Sequence, residues 1–223
     1  MADVLRRPEC VLRSLTVHCC APVLPGPAEV SSAPIRVGSK VAHMGAQITQ
    51  AGQVVGHASA SFAAPRDFDD SWCERVMPAV PPASQLDSLE VPLAGAPQFT
   101  QFFDYRFCPT HLPLSGSDTA RVQIWIRHKD APVVDMPHAV GLLDAGPPGI
   151  LTRLTAVRPM ASVDFRMQLF MPLPLTSTDP ADHWLFDAHT RVLSDGYAEQ
   201  IMWLYAPDGR PVGTTQQLIA VLG

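Results

Sequence analysis

Along the first 63 residues the apolar positions recur with a period near two. In VLRSLTVHCC (11–20), Leu12, Ser14 and Thr16 oppose Val11, Arg13, Leu15 and Val17, a partial alternation that predicts a strand. Pro22, Pro25 and Pro27 interrupt any ladder beyond it. Three more strands are predicted in AEVSSAPIRVG, SKVAHMGAQITQ and QVVGHASASF. The last two are joined by a tight turn at Gln50-Ala51-Gly52-Gln53, where Gly52 can adopt the positive φ a hairpin needs. No long helix is predicted in this part of the chain.

Residues 64–97 hold Pro65, Pro78, Pro81, Pro82, Pro92 and Pro97 and the acidic patch Asp67, Asp69 and Asp70, with no sustained apolar period. They read as a long linker in which Trp72, Val76 and Met77 anchor one helical turn on a domain. The strand signal returns in QFTQFFDYRFCP and in ARVQIWIRHKD, where Val122, Ile124 and Ile126 alternate with Gln123, Trp125 and Arg127. A helix over 136–146 follows, capped by Asp135, with Pro137 in its first turn and Ala139, Val140, Leu142, Leu143 and Ala145 in its body. Gly146-Pro147-Pro148 ends it, and Ile150, Leu151 and Leu154 predict a second short helix. Four strands close the chain in SVDFRMQLFMP, HWLFDAHTRVL, YAEQIMWLYA and PVGTTQQLIAVL, with Asp208-Gly209 as the strongest hairpin signal.

The two ends of the chain resemble each other. A shift of 157 sets the Gln50–Gly56 turn on Pro207–Gly213, and a shift of 150 sets Val17–Pro22 on Met167–Pro172. The copies are unequal: residues 98–160 supply two strands and a helix before the second copy, where the first has only Met1 to Leu12. Because a sheet needs its apolar face covered, either the first copy is truncated or another chain covers it.

Composition narrows the function. The 223 residues suffice for one large domain or two small ones, and 47% hydrophobic with only 17% charged residues argues against disorder and for extra buried interface. A net charge of −5, without a basic stripe, argues against a nucleic-acid partner. Five cysteines without Cys-x-x-Cys spacing argue against a disulfide framework and a zinc site, and no run approaches the length of a membrane span. A soluble protein of a reducing, cytoplasmic compartment is expected.

The segments SLTVHCCAPVLPG and GSKVAHMGAQITQAGQVVGHASASF resemble the first half of the acyl-CoA thioesterase II-like proteins. LLDAGPP, SVDFRMQLFMP, HWLFDAHTRVLSDGYAE and LYAPDGRPVGTTQQL resemble the second half. The resemblance spans nearly all of residues 11–222 apart from the linker. It implies an α+β double hotdog, each hotdog an antiparallel sheet wrapped around a central helix: an incomplete one at 1–63, a Pro-rich linker at 64–97 and a complete one at 98–223. The chain departs from the family by lacking the first strand and long helix of the first hotdog; Ala2 to Arg7 match at most the end of that helix.

The resemblance also supplies a site. Asp144, otherwise an ordinary helix-end carboxylate, matches the family aspartate that positions or deprotonates the hydrolytic water. Ser162 matches a family threonine or serine whose hydroxyl contacts that water. Of the adjacent Gln216 and Gln217, which face opposite sides of a strand, the family match selects Gln216. The equivalents of Gln216 and Ser162 in the first copy are Ser59 and Leu12, so one site per chain is expected. The implied reaction is acyl-CoA hydrolysis to free acid and CoA, with CoA entering as part of the substrate and no separate cofactor. Its phosphates would meet scattered cations such as Arg158 or Arg166. No Gly-x-Ser-x-Gly elbow is present, which counts against a serine hydrolase. A His138–Asp144 acid/base pair is awkward, since six helical residues place the two about 120° off a common face.

Two other readings stay open: a non-hydrolytic acyl or small-molecule binding protein, and a hotdog dehydratase, isomerase or cyclase acting on a polyketide-like intermediate. The aromatics Phe99, Phe102, Phe103, Tyr105, Phe107, Trp125, Phe165 and Phe170 read first as sheet core. The uncovered first half leads to the expectation of a homodimer or higher homo-oligomer.

Overall fold

The computed structural model describes residues 1–89, 96–130 and 133–222. Residues 90–95 of the predicted linker, Pro92 among them, and Gly223 lie outside the described residues.

The alternation of the first 63 residues resolves into β1 (Val11–Cys19), β2 (Glu29–Val37), β3 (Val41–Gln50) and β4 (Gln53–Ala63). Ala51 and Gly52 both adopt positive φ, as the two-residue turn between β3 and β4 requires. The second half contributes β5 (Phe103–Phe107), β6 (Arg121–His128), β7 (Met160–Leu169), β8 (Trp184–Ser194), β9 (Tyr197–Tyr205) and β10 (Pro211–Val221). All ten form one antiparallel sheet in the order β2-β3-β4-β1-β7-β10-β9-β8-β6-β5.

That order is the internal repeat made visible. Outward from the β1–β7 seam the strands run β4, β3, β2 on one side and β10, β9, β8 on the other. At the seam Thr16 pairs with Arg166, the residue 150 positions on. Strands β5 and β6 extend the second side only.

Helix α2 (Met136–Ala145) lies on the concave face of the second half. The Asp135 side chain caps it by accepting from the His138 backbone N–H at 3.1 Å. Its buried residues Ala139, Leu142, Leu143 and Ala145 join a core that includes Ile124, Phe165, Met167, Trp184 and Phe186. Gly146 ends the helix against the Phe186 ring, where a Cβ would lie 2.2 Å from a ring carbon. The first half has only α1 (Ala2–Leu5), a single turn whose Leu5, with Met1, packs beside buried Cys10, Leu12, Met44 and Phe62. Farther along the same concave face Val30 remains 70% exposed and Ile48 36%.

The linker is a third layer. Met77, Val80, Ala83 and Leu86 pack on the convex cluster of Cys108, Trp125, Leu185 and Tyr205. Trp125 Nε1 donates to Pro81 O at 2.8 Å and Leu89 N–H to Tyr105 O at 2.8 Å. Gln123 and Trp125, polar-side positions in the β6 alternation, are therefore buried as well.

Several expectations need correction. No helix forms around Trp72, Val76 and Met77; Trp72 and Val76 are exposed and only Met77 packs. Gln98–Phe102 is a 3₁₀ turn rather than the start of a strand, and Phe99, Phe102 and Phe170 lie exposed rather than in the core. The second short helix is a 3₁₀ turn at Gly149–Thr152 that stops short of Leu154. Like Ala51-Gly52, Asp195-Gly196 forms a two-residue hairpin, both residues at positive φ between the paired Ser194 and Tyr197, whereas Asp208-Gly209 belongs to a longer loop between Tyr205 and Pro211.

Candidate active site

The site is built on the concave face of β7, β10 and β9, of which β10 and β9 contact α2. Cross-strand pairing fixes which side each residue takes, because paired residues in an antiparallel ladder point the same way. Gln217 pairs with Phe165 and with Gln200, and all three are buried on the helix side. Gln216 pairs with Arg166 and faces the convex side, exposed to solvent. The two predicted polar residues Ser162 and Gln216 are therefore on opposite faces of the sheet. The physical reason is the two-residue period of β10 about Gln217.

Ser162 reaches the concave face through a β-bulge. Counting back from inward-facing Phe165, strict alternation turns Asp164 out, Val163 in and Ser162 out. Asp164 pairs with Leu218 but Ser162 pairs with Ile219, so Val163 is an extra residue with no partner in β10. The one-residue slip turns Ser162 inward, where its Oγ accepts a hydrogen bond from Gln217 Nε2. Asp164, turned outward, accepts from the Leu218 N–H at 3.3 Å.

Asp144 is the last residue but one of α2 and lies on the same side of the sheet. Its surface is solvent-accessible, yet enough protein crowds around it that desolvation lifts its pKa above the ordinary carboxylate value. Its charge is felt by the Cys19 thiol at the end of β1, whose pKa is raised by burial first and by Asp144 and Asp164 after it. Asp144 thus faces the seam between the halves, where the covered concave surface gives way to the uncovered one. Among the described residues no hydrogen bond or ion pair ties it to Ser162 or Gln217.

His138 takes no part with Asp144: its Nδ1 lies 2.6 Å from Asp135 Oδ1 at the opposite end of the helix. Arg166 is exposed on the convex face, and Arg158 is exposed beside the start of β7. Among the described residues no three His, Cys, Asp or Glu side chains converge as metal ligands would. A mainly apolar recess of about 240 Å³ opens next to the helix end, lined by Tyr105, Phe107, Leu114, Ala145, Pro147 and Leu151 among others.

Sequence reasoning did not place Gln217, Gln200 or Thr190. Thr214-Thr215-Gln216-Gln217 is polar on both faces and Leu218-Ile219 apolar on both, so the pattern of β10 alone cannot say which glutamine turns inward. Neighbouring β9 does carry a signal. Ala198, Met202 and Leu204 share one face with Gln200, a polar residue inside an apolar stripe.

An antiparallel sheet of two related halves, curled around a central helix whose end carries a desolvated carboxylate, defines a double-hotdog protein with one helix-filled half. Residues 1–63 match the acyl-CoA thioesterase N-terminal domain and residues 75–221 the acyl-CoA thioesterase C-terminal domain. The chain belongs to this acyl-CoA thioesterase family. Among solved structures it is similar to a conserved hot-dog-fold protein of unknown function from Alicyclobacillus acidocaldarius, at 25% identity and a TM-score of 0.84, covering 99% of this chain and 83% of the other. It is also similar to an acyl-CoA thioesterase II from Mycobacterium marinum, at 20% identity and a TM-score of 0.73, covering 99% and 84%. A tesB protein from Mycobacterium avium subspecies paratuberculosis matches at 16% identity and 0.73, covering 97% and 80%. Comparison with curated proteins gives no match. Among the described residues no helix is long and apolar enough to cross a membrane.

Proposed function

We propose that this protein hydrolyses acyl-CoA thioesters to the free acid and CoA, using one water held by Asp144, Ser162 and Gln217. Gln217 replaces Gln216 in this reading because it shares the concave face with Ser162. The observation that carries the proposal is the Gln217–Ser162 hydrogen bond on that face, within a chain of the acyl-CoA thioesterase family.

The chemistry follows from the groups present. Desolvation makes the Asp144 carboxylate a stronger base than one in water, suited to taking a proton from the water as its oxygen attacks the thioester carbon. The carbonyl π pair moves to oxygen to form a tetrahedral oxyanion, for which the Gln217 N–H not used by Ser162 is the available donor while the Ser162 hydroxyl steadies the water. When the intermediate collapses, the C–S bond breaks, the CoA sulfur leaves with the electron pair and Asp144 returns the proton. The apolar recess beside Ala145 and Pro147 suits the acyl chain. CoA enters and leaves as part of the substrate, and no step calls for a further cofactor.

Thiol release from a panel of acyl-CoA esters tests the reading. Turnover that is lost in Asp144→Asn is expected; tight acyl-CoA binding without thiol release would replace it with a binding protein. The same reading includes a homodimer, in which a second chain covers the concave face near Val30 and Ile48.

A further inference from the structure

The direction of the Gln217–Ser162 hydrogen bond is set by residues outside the site. Thr190 of β8, Gln200 of β9 and Gln217 of β10 form a row across the concave face, each at most 8% exposed. The backbone N–H of Gly149 lies 2.6 Å from Oε1 of Gln200, the middle member of the row. A backbone amide only donates, so the atom it meets must be the side-chain oxygen and not the nitrogen. Thr190 Oγ1 donates to the same oxygen at 3.3 Å. Gly149 can approach so closely because it has no side chain: a Cβ there would lie 2.6 Å from Ala120 O and 3.1 Å from the Thr190 nitrogen.

With its oxygen held, Gln200 has only its NH₂ group to offer Gln217, and it donates to Gln217 Oε1 at 3.4 Å. Gln217 then has only its own NH₂ to offer Ser162. Ser162 accepts at this contact, so its proton is free to point into the cleft.

We infer that Gln200 is a positioning residue that fixes the orientation of the Gln217 amide, so that Ser162 presents a hydrogen-bond donor to the reacting water. The inference rests on the hydrolytic reading of Asp144, Ser162 and Gln217. A water that accepts from Ser162 with one lone pair and donates one proton to Asp144 keeps its second lone pair for the thioester carbon. Were the Gln217 amide turned over, its oxygen would take the Ser162 proton, and Ser162 would offer the water only lone pairs. The water would then donate both protons to the protein and lose its fixed direction of attack.

The test uses Gln200→Glu and Gln200→Leu in the full chain, each checked for wild-type circular dichroism and cooperative melting. In Gln200→Glu one oxygen still serves Gly149, and the other faces Gln217. While protonated, the introduced carboxyl donates to Gln217 as the amide did; once ionised, it draws the Gln217 NH₂ towards itself and turns the relay over. Its buried position raises the pH at which this happens. Gln200→Glu is therefore expected to show a loss of kcat with rising pH that the wild type lacks, of about tenfold, the worth of one misdirected hydrogen bond. KM should change little, and Gln200→Leu should lower kcat at every pH.

Side-chain amide NMR reads the same orientation without turnover. The Gln217 NH₂ protons should lie near the Ser162 methylene in the wild type and lose that proximity in Gln200→Glu at high pH. A Gln200→Glu protein with an unchanged amide orientation and a wild-type pH profile overturns the inference, even if Gln217→Ala is inactive. Full thiol release by Gln217→Ala removes Gln217 from the mechanism instead, and acyl-CoA binding without thiol release by the wild type overturns the hydrolytic reading; in both cases the NMR orientation still decides whether Gln200 sets the relay.

Discussion

Two adjacent glutamines differ only in which way a strand turns them, and that difference separates their expected effects. Gln217→Ala should cost roughly 2 to 4 kcal/mol in kcat/KM if its amide meets the developing oxyanion. Gln216→Ala, on the convex face, should stay near wild type. Equal losses in steady-state kinetics would remove Gln217 from the mechanism. Ser162→Ala should be milder than Gln217→Ala, since solvent can partly replace a hydroxyl that only steadies water. Asp144→Asn should lower turnover about 100-fold or more, the scale of a lost positioned base. The same substitution bears on stability. Because desolvation raises the folded-state pKa of Asp144 above its unfolded value, the folded protein favours the protonated form. Its stabilising contribution is complete below the unfolded pKa and lost as pH rises through the folded one. Asp144→Asn should therefore raise Tm at neutral pH, and the gain should shrink as the pH is lowered into the carboxylate range. Calorimetry at several pH values checks the sign.

At the level of elements, the linker illustrates how a segment without periodic pattern can still be structural. Arg75 Nε donates to the Tyr205 hydroxyl at 2.7 Å, its guanidinium lies 4.6 Å from the Trp203 ring centre and it pairs with buried Asp187 at 3.6 Å. Ser88 donates to Asp104 at 2.6 Å, and His183 and Arg127 reach the same buried carboxylate. Arg66 is likewise exposed in a stretch without secondary structure, but among the described residues its side chain makes no hydrogen bond or ion pair. Brief trypsin treatment should cut first after Arg66 and spare Arg75, with the two fragments held together by the β1–β7 ladder. Mass spectrometry that finds early cleavage at Arg75 would contradict the strap. The strands and α2 were legible because their periods and the Asp135 cap are local properties. The linker's course was not, because it depends on an apolar convex patch formed by residues far away in sequence.

The whole molecule is asymmetric in what covers its sheet. The second half has α2 inside and the linker outside, whereas the first half has one helical turn inside, and Val30 and Ile48 of its concave face are exposed. Light scattering at tens of micromolar is expected to give twice the chain mass, with a second chain on that surface. A monomer with an ordered first half would reject the dimer. The Asp144 end of α2 lies at the seam bordering this surface, so self-association should also change kcat/KM with protein concentration if a partner completes the cleft.

By itself the sequence determined the strand succession, the capped helix, the unequal repeat and the family, since all of these depend on near-neighbour pattern or on ordered motifs. It also placed Asp144 and Ser162 as candidates. Only the tertiary structure decided that Gln217 and not Gln216 joins Ser162. That outcome turns on one unpaired residue, Val163, and on the register of β7 against β10, neither of which leaves a trace in the alternation of a strand that is polar on both faces. The same holds for the Gly149–Gln200–Gln217 relay: its successive members lie 51 and 17 residues apart and meet because the sheet sets them side by side, and burial then requires every donor to find an acceptor.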